Sequence, residues 1–466
     1  MNKTKPILSM ILLFSISFHL IGCTSENTDS DESNTIAYPY SYTNSETDTD
    51  TDTEHIGLVY YWDRDGGDLV TEIIEKYNKY CINNHLDDSY KIEVVEFSGS
   101  DELYTKISTE VMAGDGPDFF SLGQTLPFEK MMADDCFYDI EKLFSEYGSD
   151  SDLKLSDCNS SLIDSVRYNG KLCYVPLFYG IKTFVSDTNT LGKFDIDLSA
   201  GASITYDNLK NIFSSYFYDQ QKYAFLFGDS DGFFYGSDEL FYEFICDYVD
   251  VENGTTYFDT DSFRQNLDTM CELLKTREGI DASESLNNYI FSTRYLDHGI
   301  RFLSTRSTEN PELTFYNGLS KSKDDITAYI QIGIAVNKNS EKKKQIYEFI
   351  KYCLSEDTQT YFCGDREYST FSGLANVSFA VNNNAFEHSI EMAVKEGLDL
   401  ENNGFMKNYI ETVKNVNKCD KYLYTIESYY SRNVIRDIVN DYLSGTISKD
   451  KFIYRLTAAT EIYFSE

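Results

Sequence analysis

Histidine is scarce in this chain, with five in 466 residues and none in an HExxH arrangement. The ten cysteines never fall into CxxC spacing, so the usual zinc-holding patterns are missing. Neither the phosphate-cradling P-loop nor the glycine fingerprint of dinucleotide-binding folds occurs, and no cofactor is expected. Basic residues are few as well: 40 Lys and Arg against 77 Asp and Glu leave a net charge of −37. Such a surface repels phosphate backbones and anionic headgroups, which removes nucleic acid from the expected partners and makes solubility the plain role of the charge. No period of about 20 to 50 residues recurs, which argues against a solenoid or propeller.

The apolar run from Ile7 to Ile21 is too short to span a bilayer comfortably, and Lys3 and Lys5 before it give the charge order of a secretory signal. Its end, Leu20-Ile21-Gly22-Cys23, resembles the bacterial lipobox. That resemblance implies cleavage before Cys23 and lipidation of its thiol, with the membrane reached through the anchor alone. The alternative is a buried apolar helix with a chance cysteine. Residues Thr24 to Glu54 contain no Lys or Arg and many Ser and Thr, a composition that cannot bury a core and reads as a tether. As a flexible coil it would span roughly 30 Å. The run TDTDTDTE lacks the glycine and spacing of a calcium loop and is read as solvated linker. The expected organisation is a signal peptide over 1–22, a linker over 23–54 and a folded body over 55–466, present as a monomer. With Cys23 set aside, nine cysteines remain, so at least one thiol is unpaired; a Cys158–Cys173 disulfide stays open.

A body of this length suits one bilobal unit or two domains. HIGLVYYWD reads as a strand, and DLVTEIIEKYNKY as a helix with Leu69, Ile73, Ile74 and Tyr77 on one face. KIEVVEF alternates as a strand, SDELYTKISTEVMAG as a helix with Ser100 as N-cap and Gly114 as its stop, and PDFFSLG as a third strand. The order β-α-β-α-β predicts an α/β fold with parallel strands whose carboxyl ends gather ligand, here Tyr61 to Asp63 and Leu122 to Thr125. Another strand and helix come later in ITAYIQIGIAVNKNSEKKKQIYEFIKYC, and the chain closes on helices in YYSRNVIRDIVNDYLSG and SKDKFIYRLTAATEIYF. The SxxK match at Ser340 to Lys343 lies in a charged run and is read as an exposed helix start.

GDGPDFFSLG resembles a segment of the maltose-binding-like family 1 extracellular solute-binding proteins, the receptors of ABC importers. NGKLCYVPLFYGIKTFVSD is similar to their GK-Y-x-x-P segment and lobe crossing, and SITYDNLKNIF to their T-W-x-E-L, with Tyr206 in place of Trp. The stretch from Ile332 to Phe362 resembles the return to the first lobe, and LSGTISKDKFIYRLTAATEIYF the terminal G-x-x-S-x-E-E-A segment. The resemblance implies a periplasmic-binding-protein-like fold of two lobes joined by crossing hinge segments. Lobe one would hold about 55–180 and 315–365, lobe two about 181–314 and 366–466. It implies a non-enzymatic, lipid-anchored, extracytoplasmic receptor that closes on a small polar solute, a carbohydrate or oligosaccharide, and delivers it to permease subunits.

The same resemblance implies where solute would touch. Trp62 and Asp63 end the first strand, with Arg64 and Asp65 after them, though Trp62 fits a core role equally. Asp118 is read as structural, whereas Gly123, Gln124 and Thr125 lie just past the third strand. Phe178 and Tyr179 at the crossing either line the hinge or pack it. Asp229, Asp231, Phe233 and Phe234 match an acidic-then-aromatic contact of the second lobe, or form a solvated turn. Ser304 or Arg306 would end a G-x-x-A-M-like strand, and Tyr429 or Tyr430 would stack on solute from the terminal helices unless either fills core. Aromatic faces suit the apolar faces of sugar rings, and polar side chains the hydroxyls. Against that, a single Trp remains beside 38 Tyr and 32 Phe, so a peptide, a polyamine or another polar solute stays open. A surface glycosidase working through paired carboxylates, or an adhesin that no longer binds solute, are the rival readings.

Overall fold

This computed structural model describes residues 55–63, 69–123, 125–187, 201–218, 224–227, 237–275, 289–296, 313–363, 379–420 and 428–465. The chain opens with β1 (Leu58–Asp63), α1 (Leu69–Asn83), β2 (Ile92–Phe97), α2 (Ser100–Ala113) and β3 (Phe119–Ser121). Strands β1 and β2 pair in parallel, from Leu58 opposite Ile92 to Asp63 opposite Phe97. Along α1, Val70, Ile73, Ile74, Tyr77 and Cys81 are buried, the stripe that helical spacing gives to one face. Each aliphatic side chain enclosed in this way stabilises the fold by about 1.5–3 kcal/mol relative to exposure. Helix α2 takes Gly99 as its N-cap, one residue earlier than expected, and ends as expected at Gly114, whose φ of +89° favours glycine.

The third parallel strand needs correcting. The ladder of β3 is antiparallel and joins β11 (Thr327–Val336), with Phe119 opposite Val336. Its tie to β1 runs through Asp118, whose amide donates to the Val59 carbonyl at 3.2 Å while its carboxylate accepts from the Val59 amide at 2.9 Å. The sheet is mixed because a strand from late in the chain returns to fill the edge beside β3.

After α3 (Phe128–Ala133), α4 (Ile140–Tyr147) and α5 (Ser160–Ser165) comes β4, fourteen residues from Tyr174 to Asp187. At about 3.3 Å per residue it is long enough to serve two halves of a molecule. From Tyr174 to Ile181 it pairs with β11. Farther along it pairs with β9 (Tyr289–Leu296) on one edge and β10 (Leu313–Ser320) on the other. Strand β9 carries β6 (Ala224–Phe227), and β10 carries β5 (Ser203–Thr205). Val175, Leu177, Phe178, Tyr179, Ile181, Phe184 and Val185 are all buried, so β4 is covered on both faces and reads as a continuous apolar run. Gly180 interrupts it because a Cβ there would lie 2.5 Å from the Tyr329 ring, which crosses the backbone of β4.

The second half adds α6 (Tyr206–Tyr218), α7 (Ser237–Cys246), the hairpin β7 (Val249–Asp250) and β8 (Thr255–Thr256), and α8 (Asp261–Lys275). Its core is aromatic: Phe244 and Phe263 stack at 4.9 Å, and Tyr206, where the resemblance anticipates Trp, packs edge-on to Phe244. The Tyr206 hydroxyl donates to Asp247 at 2.9 Å, a polar end that Phe would lack. Helices α9 (Lys343–Cys353) and α10 (Glu356–Cys363) return over the first half, where Phe349 meets Phe119 at 4.9 Å. Then come β12 (Phe379–Ala380), α11 (Asn383–Lys395), α12 (Gly404–Lys414), β13 (Lys418–Asp420), a π-helical turn over Tyr430–Ile435, α13 (Arg436–Leu443) and α14 (Lys449–Ser465).

Two smaller expectations also change. Lys343 begins α9 as anticipated, but its ammonium is buried, donating to the carbonyls of Asn337 at 3.2 Å, Lys338 at 3.0 Å and Ser340. Burial pulls its pKa down to about 8. Cys158 and Cys173 are both buried and no disulfide joins them.

Candidate functional site

The site is built on the carboxyl edge of the first half. There β1 ends in Trp62 and Asp63, both half-buried, and β3 runs into the turn Leu122 to Leu126. The amide of Leu126 donates to the Gly123 carbonyl at 3.2 Å and closes that turn. A Cβ on Gly123 would lie 1.8 Å from the Tyr104 ring, so glycine lets the α2 tyrosine rest directly on the turn. Behind this edge Tyr60 and Ser121 share a 2.8 Å hydrogen bond, and Tyr61 donates to Glu110 at 2.9 Å. Burial and the Glu110 charge push the Tyr61 phenol well above its ordinary range, so it stays a neutral donor.

Two atoms at this edge stand out chemically. The indole nitrogen of Trp62 and the hydroxyl of Thr125 are enclosed and have no hydrogen-bond partner. An unmet buried polar group costs about 1–3 kcal/mol, so folded chains carry few and each needs a reason. One is a donor only, the other donor and acceptor, a pair suited to hydroxyl groups of a solute. Asp118 is structural as expected: besides Val59, it accepts from the Ser340 hydroxyl at 2.6 Å.

Tyr179 and Tyr430 are corrections. Tyr179 is fully buried, with its ring on Phe379 at 5.6 Å and its hydroxyl accepting from Asn159 and donating to the Val413 carbonyl at 3.4 Å. It lines a cavity of about 260 Å³ with Asn159, Asn383 and Lys414, which shares no lining residue with the strand ends. Phe178 is buried as well, so the crossing packs the hinge. Tyr430 is fully enclosed, its hydroxyl 2.6 Å from Thr460 and its ring against Tyr463. The half-buried Tyr429 stacks on Tyr463 at 6.1 Å.

The terminal layer reaches the strand edge through a different residue. Arg432 in the π-turn points its guanidinium at Asp101 in the first turn of α2, with Nη1 and Oδ1 3.6 Å apart. A π-turn adds a residue to the helical repeat and so rotates the next turn of helix about its axis, and it leaves no signature in composition or spacing.

Arg64, Asp65, Gln124, Asp229, Asp231, Phe233, Phe234, Ser304, Arg306 and Cys23 lie outside the described residues. Gly228-Asp229-Ser230-Asp231-Gly232 also has the G-x-S-x-G spacing of hydrolase nucleophile turns. These five residues lie outside the described ones. Among the described residues no group of three or more His, Cys, Asp or Glu could hold a metal ion, and no helix is long and apolar enough to cross a membrane.

No family model matches this chain, and no curated protein matches it. Solved structures do. The sugar-binding protein MalE of Xanthomonas citri aligns with a TM-score of 0.57 at 12% identity, covering 88% of this chain and 97% of that one. An ABC substrate-binding protein of Listeria monocytogenes, solved with cycloalternan, aligns at 0.52 and 13%, over 87% and 98%. Maltose-bound MalE3 of T. maritima aligns at 0.51 and 15%, over 87% and 99%. At these identities what is shared is the fold, an α/β architecture of two lobes joined by crossing strands.

Proposed function

We propose that this chain is a lipid-anchored, extracytoplasmic solute receptor of an ABC importer, a family 1 solute-binding protein that closes two lobes on a carbohydrate or oligosaccharide. The observation that carries the reading is the pair of enclosed, unpartnered polar atoms on Trp62 and Thr125, at strand ends where ligands of such folds gather. Similarity to sugar-binding structures over nearly the whole of their length supports it. The anchor rests on the lipobox-like Leu20 to Cys23, and the importer on the similarity alone. The pairing of β10 with the later part of β4 supports a return crossing to the first lobe near β11. Hinge closure would result from a solute that touches both lobes and so favours the closed state.

The test is a thermal-shift screen of residues 55–466 against mono- and oligosaccharides, polyamines and peptides, with calorimetry on any hit. A saccharide that raises the melting temperature, binds at a one-to-one ratio and is recovered unchanged is the expected outcome. Stabilisation by polyamines or peptides alone would overturn the sugar assignment. Turnover of the sugar would favour the glycosidase, and turnover of an ester lost on Ser230→Ala would favour a hydrolase using the G-x-S-x-G turn.

A further inference from the structure

The terminal helices are fastened to the second half. At the start of α14, Lys449 pairs with Asp268 at 2.6 Å and Asp450 with Arg264 at 2.7 Å, both partners on α8. Near its end Phe464 lies on Gly254 of the β7–β8 hairpin, where a Cβ would come within 3.1 Å of it. The π-turn packs on both α13 and α14, so Tyr430–Ile435 is part of the same body.

That body meets the first half where α14 packs on α3, and among the described residues Arg432 and Tyr463 add polar contacts. Arg432 faces Asp101 at the start of α2, and Tyr463 donates its phenol to Glu129 of α3 at 3.4 Å. The contacts differ in kind. Tyr463 and Glu129 are 8% and 2% exposed, a buried hydrogen bond, whereas the Asp101 side chain is 77% exposed and its ion pair is open to salt. Asp101 comes just after β2, so the bridge starts from the same carboxyl edge that carries Trp62 and Thr125.

We infer that Asp101–Arg432 and Tyr463–Glu129 form a two-point latch that draws the lobes together before any solute arrives. This builds on the receptor reading but not on the identity of the solute. Preorganised closure raises the competent fraction and thereby the apparent affinity, since that affinity scales with the fraction of molecules already able to bind. One point yields to ionic strength and the other does not, so binding of even a neutral solute acquires a salt dependence.

Small-angle scattering of residues 55–466 without solute tests the latch, with circular dichroism as the check on folding. Arg432→Gln and Asp101→Asn should each enlarge the radius of gyration, as should raising salt on the unsubstituted chain. The charge-exchanged Asp101→Arg/Arg432→Asp chain should restore the compact form. Tyr463→Phe should open the molecule at every salt concentration. Once a solute is known, Arg432→Gln should weaken its apparent binding about two- to five-fold at low salt and less at high salt. If the three single variants and the salt series leave the radius unchanged in folded protein, there is no latch. Should the radius respond while no solute is found, the latch stands and the receptor reading falls.

Discussion

The hydroxyls of Tyr430 and Thr460 meet at 2.6 Å, with both residues fully buried. Thr460 gives its own proton to the Leu456 carbonyl at 2.8 Å, so Tyr430 is the donor in this pair. The ring is therefore held from its polar end inside the terminal layer. Tyr430→Phe should cost about 1 kcal/mol of stability, and Tyr430→Ala about 3–5 kcal/mol through the cavity it leaves. Urea denaturation reads both, and solute affinity should be untouched in Tyr430→Phe. A loss of affinity without a loss of stability would return Tyr430 to the site.

Trp62 and Thr125 should behave in the opposite sense. Thr125→Val removes an unmet hydroxyl at nearly constant shape, so the solute-free protein should hold its stability or gain about 1 kcal/mol. Binding of a hydroxyl-bearing solute should weaken about tenfold, which is 1.4 kcal/mol. Trp62→Phe should show the same pattern, with the ring retained and the donor lost. Calorimetry beside thermal melts separates these outcomes from simple unfolding.

Much of this was legible in the sequence because local rules and tertiary needs agreed. The apolar spacing of Ile73, Ile74 and Tyr77 gave α1 its buried face, which Val70 joins, and Gly114 ended α2 where a left-handed residue was wanted. The antiparallel partner of β3 was not legible, since the alternation of Phe119 to Ser121 is the same for either direction and the partner lies far along the chain. Tyr179 and Tyr430 were misplaced for a related reason: an aromatic at the right spacing suits a cleft wall and a core equally, and only three-dimensional packing decides. Lys343 looked solvated because a run of charges is usually a solvated face, yet three carbonyls turn inward to receive its ammonium. The π-turn that aims Arg432 has no sequence cue.

Gly123 tests how tightly the strand-end turn is built. Gly123→Ala places a methyl group 1.8 Å from the Tyr104 ring, a clash that rotation of a half-buried tyrosine can relieve only by leaving the turn. The expected cost is about 1–3 kcal/mol. Gly123→Ala combined with Tyr104→Ala should lose less stability than the two changes summed, because the second removes what the first strikes. Strict additivity in denaturation would show that the ring does not constrain the turn.

Alkaline pH should unfold this protein early, and the sign is set by its tyrosines. Burial raises the phenols of Tyr206, Tyr430 and Tyr463 well above 10.0, their ordinary value. The folded chain then keeps protons that the unfolded chain releases near pH 10, so stability present in full below that pH is lost as it rises. Lys343 acts the other way: pulled down to about 8 in the fold, it adds stability as pH climbs from there towards its unfolded value of about 10.4. Burial also lowers the pKa of Lys321, and these two lysines against several phenols make the balance flat at first and negative beyond about pH 10. Urea midpoints and tyrosinate absorbance measured together should therefore show the buried phenols ionising in the same cooperative step in which the fold is lost. Gradual ionisation of most tyrosines in a still-folded chain would mean that the aromatic core is far more open to solvent than its packing requires.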